Sequence, residues 1–310
     1  MRRKRTSKAA ETPVRVVILT LDPHMRAAVV RAREALAPEL PGLDLRFHAA
    51  TGFTDPAALD SCRADIAGAD IVFANMLFID EHIRAVLPAL EARRDHCDAM
   101  VCAMSAGEVV RLTRMGRFTM DDSEGKSLPA KLRPKREPGK AASNPKLGML
   151  RRLPKLLKLI PGKAQDLRAY LLTLSYWLSG SAENLADLVR LLVSRYADGP
   201  RRELRDAVRA APPRQYPETG VYHPALPERM SESAEGLPAP ANARGTVGLI
   251  LLRSYLLAGD TAHYDGVIAG LESRGLRVIP VFAPGLDARP AIDAFLAPGG
   301  TVAVDAAVSL

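Results

Sequence analysis

Strand-like apolar runs alternate with helix-like periods over residues 13–122, and this alternation constrains the fold more than any other feature of the sequence. The first run, residues 14–21, is rich in β-branched side chains and ends at Asp22-Pro23, which favours a buried strand followed by a turn. The same pattern recurs and predicts strands over 43–48, 69–74 and 98–104 and helices over 25–36, 56–67 and 80–94. Strict alternation of this kind indicates an α/β fold with an open parallel sheet that helices cover on both faces. Such sheets bind ligands at the carboxyl ends of their strands.

Composition divides the remainder of the chain into further segments. We expect a disordered basic tail over 1–12, a basic proline-rich linker over 123–162, a helical hairpin over 163–210, a proline-rich loop over 211–245 and a second α/β unit over 246–310. The last unit ends on the apolar run 304–310 with no helix after it. Because a parallel sheet is normally covered on both faces, we expect this unit to be truncated and the chain to be an amino-terminal fragment of a longer protein.

The charge of the chain is concentrated in the linker. Residues 126–163 contain twelve basic side chains and one acidic one, so this segment carries +11, against a net charge of +8 for the whole chain, and the rest is slightly acidic. One local basic run is weak evidence for nucleic-acid binding, and the aromatic content of 5% is low for a base-stacking surface. No apolar run approaches the roughly 20 residues of a membrane span, and the amino terminus lacks the features of a secretory signal. We therefore expect a cytoplasmic protein with no nucleic-acid partner and no membrane span.

Neither the cysteines nor the histidines show the spacing of a metal site. Cys62, Cys97 and Cys102 are read as ordinary thiols, although a cluster shared by the last two stays possible. We predict no metal ligand among the four histidines of the amino-terminal half, which are His24, His48, His82 and His96.

Two candidate ligand loops have a simpler explanation as helix caps. Ser105 and Glu108 have the three-residue spacing of a capping box, and Thr261 is predicted to cap the helix that it begins, over 261–275. No Walker or Gly-x-Gly-x-x-Gly pattern is present, so the sequence predicts no nucleotide site of its own.

Several separated motifs, in the same order along the chain, closely resemble the family of magnesium chelatase large subunits, the H-type subunits, and the related large subunit of cobaltochelatase. The strongest match covers residues 253–282. Weaker matches are found over residues 75–80, 102–108, 175–184, 219–224 and 304–310. The resemblance implies a protein that holds protoporphyrin IX while two motor-type partner subunits hydrolyse ATP and Mg²⁺ is inserted, the ligase step that leads to chlorophyll or bacteriochlorophyll. It also implies that the metal-inserting residues lie outside this chain, so no catalytic residue is assigned here.

Four residues are weak candidates for substrate contact. His263, Tyr264 and Asp265 open a helix just after a strand, where an open sheet places ligand groups, and His223 lies beside Tyr222 in the proline-rich loop. The alternative for Asp265 is stabilisation of the helix amino terminus, and the alternative for His223 is a hydrogen-bonded loop. Trp177 is predicted to be a core residue because it lies beside an apolar helical stripe.

Two other functions stay open. The chain would serve as a stand-alone regulatory or interaction module if it kept the chelatase fold without the chemistry. It would otherwise belong to a cobaltochelatase large subunit, although the amino-terminal α/β unit argues against that reading.

Overall fold

The computed structural model describes residues 11–120, 154, 157 and 160–310, which form two compact units. The first unit extends to Leu178 and includes Ala182–Pro213, and the second comprises Ser179–Ser181 and Arg214–Leu310. Most of the predicted basic tail and most of the predicted linker lie outside the described residues.

A mixed sheet forms the centre of the first unit, and its strands run in the order β2-β1-β3-β4-β5-β6. The strands are β1 (Val14–Thr20), β2 (Leu43–Ala49), β3 (Ile71–Asn75), β4 (Ala99–Ala103), β5 (Arg114–Met115) and β6 (Phe118–Thr119). The first four strands are parallel, which confirms the predicted parallel sheet. The antiparallel β5 and β6 were not predicted, because two-residue strands are too short to show a period.

Helices α2 (Pro56–Ala67) and α3 (Asp80–Arg94) cover one face of this sheet, with the bounds that the sequence predicts. Apolar side chains of both helices, among them Ile66 and Val86, pack with Val17 and Val72 in one buried cluster. Asp55 caps α2, since its carboxylate accepts a hydrogen bond of 3.0 Å from the Ala57 amide.

The opposite face is covered by three helices, one that precedes the predicted linker in the sequence and two that follow it. Helix α1 (Met25–Leu36) packs against α6 (Ala182–Tyr196), which packs against α5 (Lys163–Leu178). The ring of Trp177 lies 5.1 Å from that of Phe73 in β3 and is 5% exposed, which confirms its place in the core. Both helices of the predicted hairpin therefore belong to the same compact unit as the first sheet.

An arginine in the 3-10 segment Gly199–Asp206 joins these helices to the sheet. Arg201 pairs with Asp98 at 3.0 Å and with Asp70 at 3.2 Å, and both carboxylates lie at the amino ends of neighbouring strands. The Asp98 side chain is 9% exposed, so the guanidinium compensates a largely buried negative charge.

The predicted capping box at Ser105 is wrong. The short helix α4 (Gly107–Val110) has Ala106 as its cap residue and no side-chain cap. Ser105 instead accepts a hydrogen bond from the Leu77 amide and donates one to the Ala103 carbonyl, both at 3.0 Å. The hydroxyl therefore joins the loops that follow β3 and β4.

The second unit contains a sheet with the strand order β11-β9-β10-β7-β8. Its strands are β7 (Gly220–Tyr222), β8 (Met230–Ser231), β9 (Thr246–Leu252), β10 (Arg277–Ala283) and β11 (Ala306–Ser309). Strands β9, β10 and β11 are parallel, whereas β7 and β8, which come from the proline-rich segment, add to it in antiparallel pairing. Its helices are α7 (Arg253–Ala258), α8 (Ala262–Glu272) and α9 (Arg289–Ala291), which continues into a π-helical turn, Ile292–Leu296.

Strand β11 lies at the edge of this sheet with all four residues exposed. Val308 in this strand is 44% exposed, and Val302, which precedes it, is 71% exposed.

The three cysteines are buried free thiols. Burial raises the pKa of Cys62 to about 12, which keeps its thiol protonated at neutral pH. No helix of the described part of the chain is long and apolar enough to cross a membrane.

We predict that Arg201→Gln lowers the free energy of unfolding of the first unit by about 2–3 kcal/mol, because it leaves Asp98 buried without its cation. Urea denaturation followed by circular dichroism measures the loss. Arg84→Gln is the matched control, since Arg84 and Asp80 are 79% and 81% exposed and lie 3.7 Å apart, so its cost should stay below about 0.5 kcal/mol. Equal effects of the two substitutions would contradict the role assigned to Arg201.

Candidate functional site

Asp265, in the first turn of α8, is the centre of a polar cluster in the second unit. Its carboxylate accepts hydrogen bonds from the Tyr222 hydroxyl at 2.6 Å, from the Arg229 guanidinium at 2.5 Å and from the Thr261 hydroxyl at 3.3 Å. Tyr222 belongs to β7, and Arg229 lies in the loop between β7 and β8. One carboxylate therefore connects a helix, a strand and a loop.

The predicted side-chain cap of α8 by Thr261 is wrong. Thr261 occupies the cap position, but its hydroxyl bonds to the Asp265 carboxylate and not to a backbone amide. Asp265 does lie in the first helical turn, where a negative charge is favoured by the helix dipole.

The Tyr222 hydroxyl is a permanent donor in this cluster. Burial, together with its bond to Asp265, raises the pKa of Tyr222 to about 12. The phenol therefore stays protonated at neutral pH and can donate a hydrogen bond to the Asp265 carboxylate.

His223 stabilises its loop by hydrogen bonds, which is the alternative that the sequence offered to contact with a ligand. It is 4% exposed, and its Nδ1 accepts a hydrogen bond of 3.1 Å from the Ala225 amide. Nδ1 is therefore unprotonated, so Nε2 carries the proton and donates to Glu272 Oε1 at 3.0 Å. Both ring nitrogens are thus engaged in fixing the β7–β8 loop against the end of α8.

Tyr264 points into the core. It is 1% exposed, and its hydroxyl accepts a hydrogen bond of 3.2 Å from the Leu252 amide at the end of β9. Of the four candidates, it has the least surface available to a ligand.

His263 is the exposed member of the set. Its ring centroid lies 3.9 Å from that of Tyr264 and 5.4 Å from that of Tyr255 in α7. Residues two positions apart on a helix face different sides, so His263 does not join the cluster around Asp265. The structure therefore separates the exposed imidazole of His263 from the partly buried polar cluster around Asp265.

Sequence analysis did not single out Arg229, which belongs to the cluster, or Glu272, which pairs with His223. Arg229 has a positive φ of 57°, and its guanidinium lies 5.4 Å from the Tyr222 ring. Arg229 lies in a proline-rich loop in which apolar residues do not recur at a regular spacing. Its partner, Asp265, could therefore be identified only from the structure.

A second unusual position lies at the carboxyl end of the first sheet. Asn75 is fully buried, and its carboxamide has no hydrogen-bond partner among the described residues. Met76 and Met104, which follow β3 and β4, have positive φ values of 59° and 43°. Backbone strain of this kind is common at functional sites, and this end of the sheet is where an open α/β sheet would bind a ligand.

No group of three or more His, Cys, Asp or Glu residues in the described ranges could hold a metal ion. The cluster around Asp265 offers a ligand a fixed phenol and a guanidinium. The exposed imidazole of His263 lies on a separate surface.

We predict that Tyr222→Phe lowers the free energy of unfolding of the second unit by about 1 kcal/mol, because it removes one bond to Asp265. A double-mutant cycle with Asp265→Asn, measured by urea denaturation, isolates the coupling between the two side chains. A coupling energy of zero would show that the bond contributes nothing to stability.

Two family models match the chain in adjoining segments. Residues 15–171 match a family described as "Domain of unknown function (DUF3479)", and residues 174–310 match one described as "CobN/Magnesium Chelatase". The boundary between the matches falls inside α5.

Comparison with known proteins agrees with the second description. The chain is 48% identical over 284 residues to the magnesium-chelatase H-type subunit of Rhodobacter capsulatus, covering 91% of this chain and 24% of the relative. It is 31% identical over 291 residues to the chloroplastic magnesium-chelatase subunit ChlH of Oryza sativa subsp. indica, covering 88% and 21%. The solved catalytic subunit of cobaltochelatase from Mycobacterium tuberculosis aligns at a TM-score of 0.43 and 16% identity, covering 96% of this chain and 18% of that one.

The chain thus spans about a quarter of the length of the relatives that it matches. It belongs to the DUF3479 family, and over about nine-tenths of its length it is related to the magnesium-chelatase H-type subunits.

Proposed function

We propose that this chain forms part of the porphyrin-holding subunit of a magnesium chelatase, the enzyme that inserts Mg²⁺ into protoporphyrin IX on the route to chlorophyll or bacteriochlorophyll. The observation that carries the proposal is the 48% identity to a magnesium-chelatase H-type subunit over 91% of the chain. The proposal places the protein in the cytoplasm.

The reaction has two physical difficulties, and the proposal assigns both of them to residues outside this chain. Mg²⁺ releases its hydration water reluctantly, and two pyrrole protons must leave the macrocycle. ATP hydrolysis by two motor-type partner subunits would supply the energy, and the metal-inserting residues would lie outside this chain. The task left for this chain is to bind and orient the porphyrin.

In this proposal one of the four candidate residues contacts the porphyrin, and the other three hold that residue in position. His263, with Tyr255 beside it, offers an exposed imidazole and an aromatic side chain for contact with the macrocycle. Asp265 and His223 are positioning residues, since they fix α8 to β7 and to the following loop. Tyr264 supports the ring of His263 from beneath. The guanidinium of Arg229, 47% exposed, is suited to a propionate.

A cobaltochelatase role is the second candidate, because the family model that matches residues 174–310 spans both kinds of chelatase. Metal insertion assayed with Mg²⁺ and with Co²⁺, in the presence of the partner subunits, separates the two. A purely regulatory module would bind the partner subunits but no porphyrin.

The decisive test is titration of the 310-residue chain with protoporphyrin IX, followed by the Soret absorption band. We expect a dissociation constant in the micromolar range, on the order of −8 kcal/mol. His263→Ala should weaken binding at least ~5-fold, which is a loss of about 1 kcal/mol of ring and imidazole contact.

His96→Ala is the matched control, since His96 is also exposed but lies in the first unit. It should leave the dissociation constant unchanged. A Soret band that does not respond to the protein would exclude porphyrin binding by this chain and favour the regulatory module.

A further inference from the structure

A cavity of about 210 Å³ lies at the outer edge of the first sheet, in the unit that does not contain the Asp265 cluster. It is bounded by α1, by the edge strand β2 and by α2. The helix α1 contributes Arg26, Val29, Val30 and Arg33, whose spacing places them on one face. The cavity therefore has a floor formed by one strand and a wall formed by one helical stripe.

Two arginines of this wall have no acidic partner in the part of the chain that the structure describes. Neither Arg26 nor Arg33 forms an ion pair with any carboxylate of the described residues, although both line the cavity. Arg26 is held in place by Phe47, with its guanidinium carbon 5.1 Å from the ring centroid. A guanidinium without a counter-ion beside a concave surface is suited to a planar anion, because its donors match carboxylate and phosphate oxygens in pairs.

Among the described residues that line the cavity, Asp65 supplies the one carboxylate, and it lies beside an imidazole and two arginines. Asp65 lies 2.9 Å from His48 Nε2, 3.8 Å from Arg15 and 4.0 Å from Arg46. Arg15 and Arg46 also pair with Asp44, at 2.8 Å and 2.6 Å, so these two arginines balance Asp44 and Asp65. The charges of Arg26 and Arg33 remain, so the site stays electropositive.

The rest of the lining is apolar and limits the kind of anion that fits. Leu45 is 5% exposed, and Val29 and Phe47 complete an apolar surface between the two arginines. Ligand sites for larger molecules occupy ≈ 300–1,000 Å³, so a cavity of this size is too small for a whole tetrapyrrole. A bare phosphate would leave the apolar surface uncovered.

The edge of β2 does not favour an added peptide strand. Within the described residues β2 pairs with β1 alone, but Asp44 and Arg46 place charges along it. Charged side chains on an edge strand discourage pairing with another chain. A small molecule is the occupant that these observations favour.

We infer that this cavity is a binding site for a small organic anion, a carboxylate or phosphate monoester with a compact apolar body. Its anionic group lies between Arg26 and Arg33, and its body packs on Phe47, Val29 and Leu45. The site is separate from the proposed porphyrin surface, so failure of either proposal leaves the other standing.

The test uses the isotope-labelled 310-residue chain and nuclear magnetic resonance titration with phenyl phosphate. Benzyl alcohol serves as the uncharged probe and inorganic phosphate as the bare anion. We expect phenyl phosphate to bind with a dissociation constant below about 1 mM, and to shift the arginine Nε–H signals of Arg26 and Arg33 and the amides of residues 43–49. Benzoate should shift the same signals, since carboxylate and phosphate share this chemistry, and the comparison of the two shows which group the site prefers.

Arg26→Gln and Arg33→Gln should each weaken binding of phenyl phosphate at least ~10-fold, since each removes a charge-assisted contact. Arg31→Gln is the matched control, because Arg31 lies on the same helix, is exposed and does not line the cavity. It should change the affinity less than ~2-fold, and all three variants should melt like the parent protein.

Three results would overturn the inference. One is the absence of shifts at Arg26, Arg33 and residues 43–49 with every anion. Another is binding of benzyl alcohol as tight as that of phenyl phosphate, which would show that charge is irrelevant. The third is equal weakening by Arg31→Gln and Arg33→Gln.

Discussion

The two-sided burial of the parallel sheet is the constraint on which the first unit depends. All residues of β3 and β4 are buried, so both faces of these strands must be covered by apolar side chains. Helices α2 and α3 cover one face, and α1 alone is too small to cover the other. Helices α5 and α6 supply the missing layer, with Trp177 on Phe73 and Arg201 on the carboxylates of Asp70 and Asp98.

Long periodic elements could be predicted from the sequence, whereas local polar contacts could not. The bounds of α1, α2 and α3 could be predicted, because each helix is at least twelve residues long. Ser105 and Thr261 were predicted as helix caps but bond to partners outside the cap. A short hydroxyl side chain competes for several nearby partners, and only the tertiary structure decides between them.

The candidate residues show the same division. The sequence identified Asp265, His223 and His263 by residue type and position, but not the partners that each of them contacts. The structure places Asp265 and His223 in contacts that hold β7 and its loop, and leaves His263 on the surface. Arg229 was missed because a proline-rich loop carries no period, although it supplies the cation nearest to Asp265. The proposed porphyrin contact therefore rests on an exposed residue that buried neighbours position.

Native-state hydrogen exchange of the intact chain in increasing denaturant tests most directly whether the first sheet and the α5–α6 layer form one cooperative structure. If they do, the amides of β1, β3 and β4 and those of α5 and α6 will converge on a single free energy of opening. Exchange of the α5 and α6 amides at a markedly lower free energy, with the strand amides still protected, would show that the sheet does not need this layer.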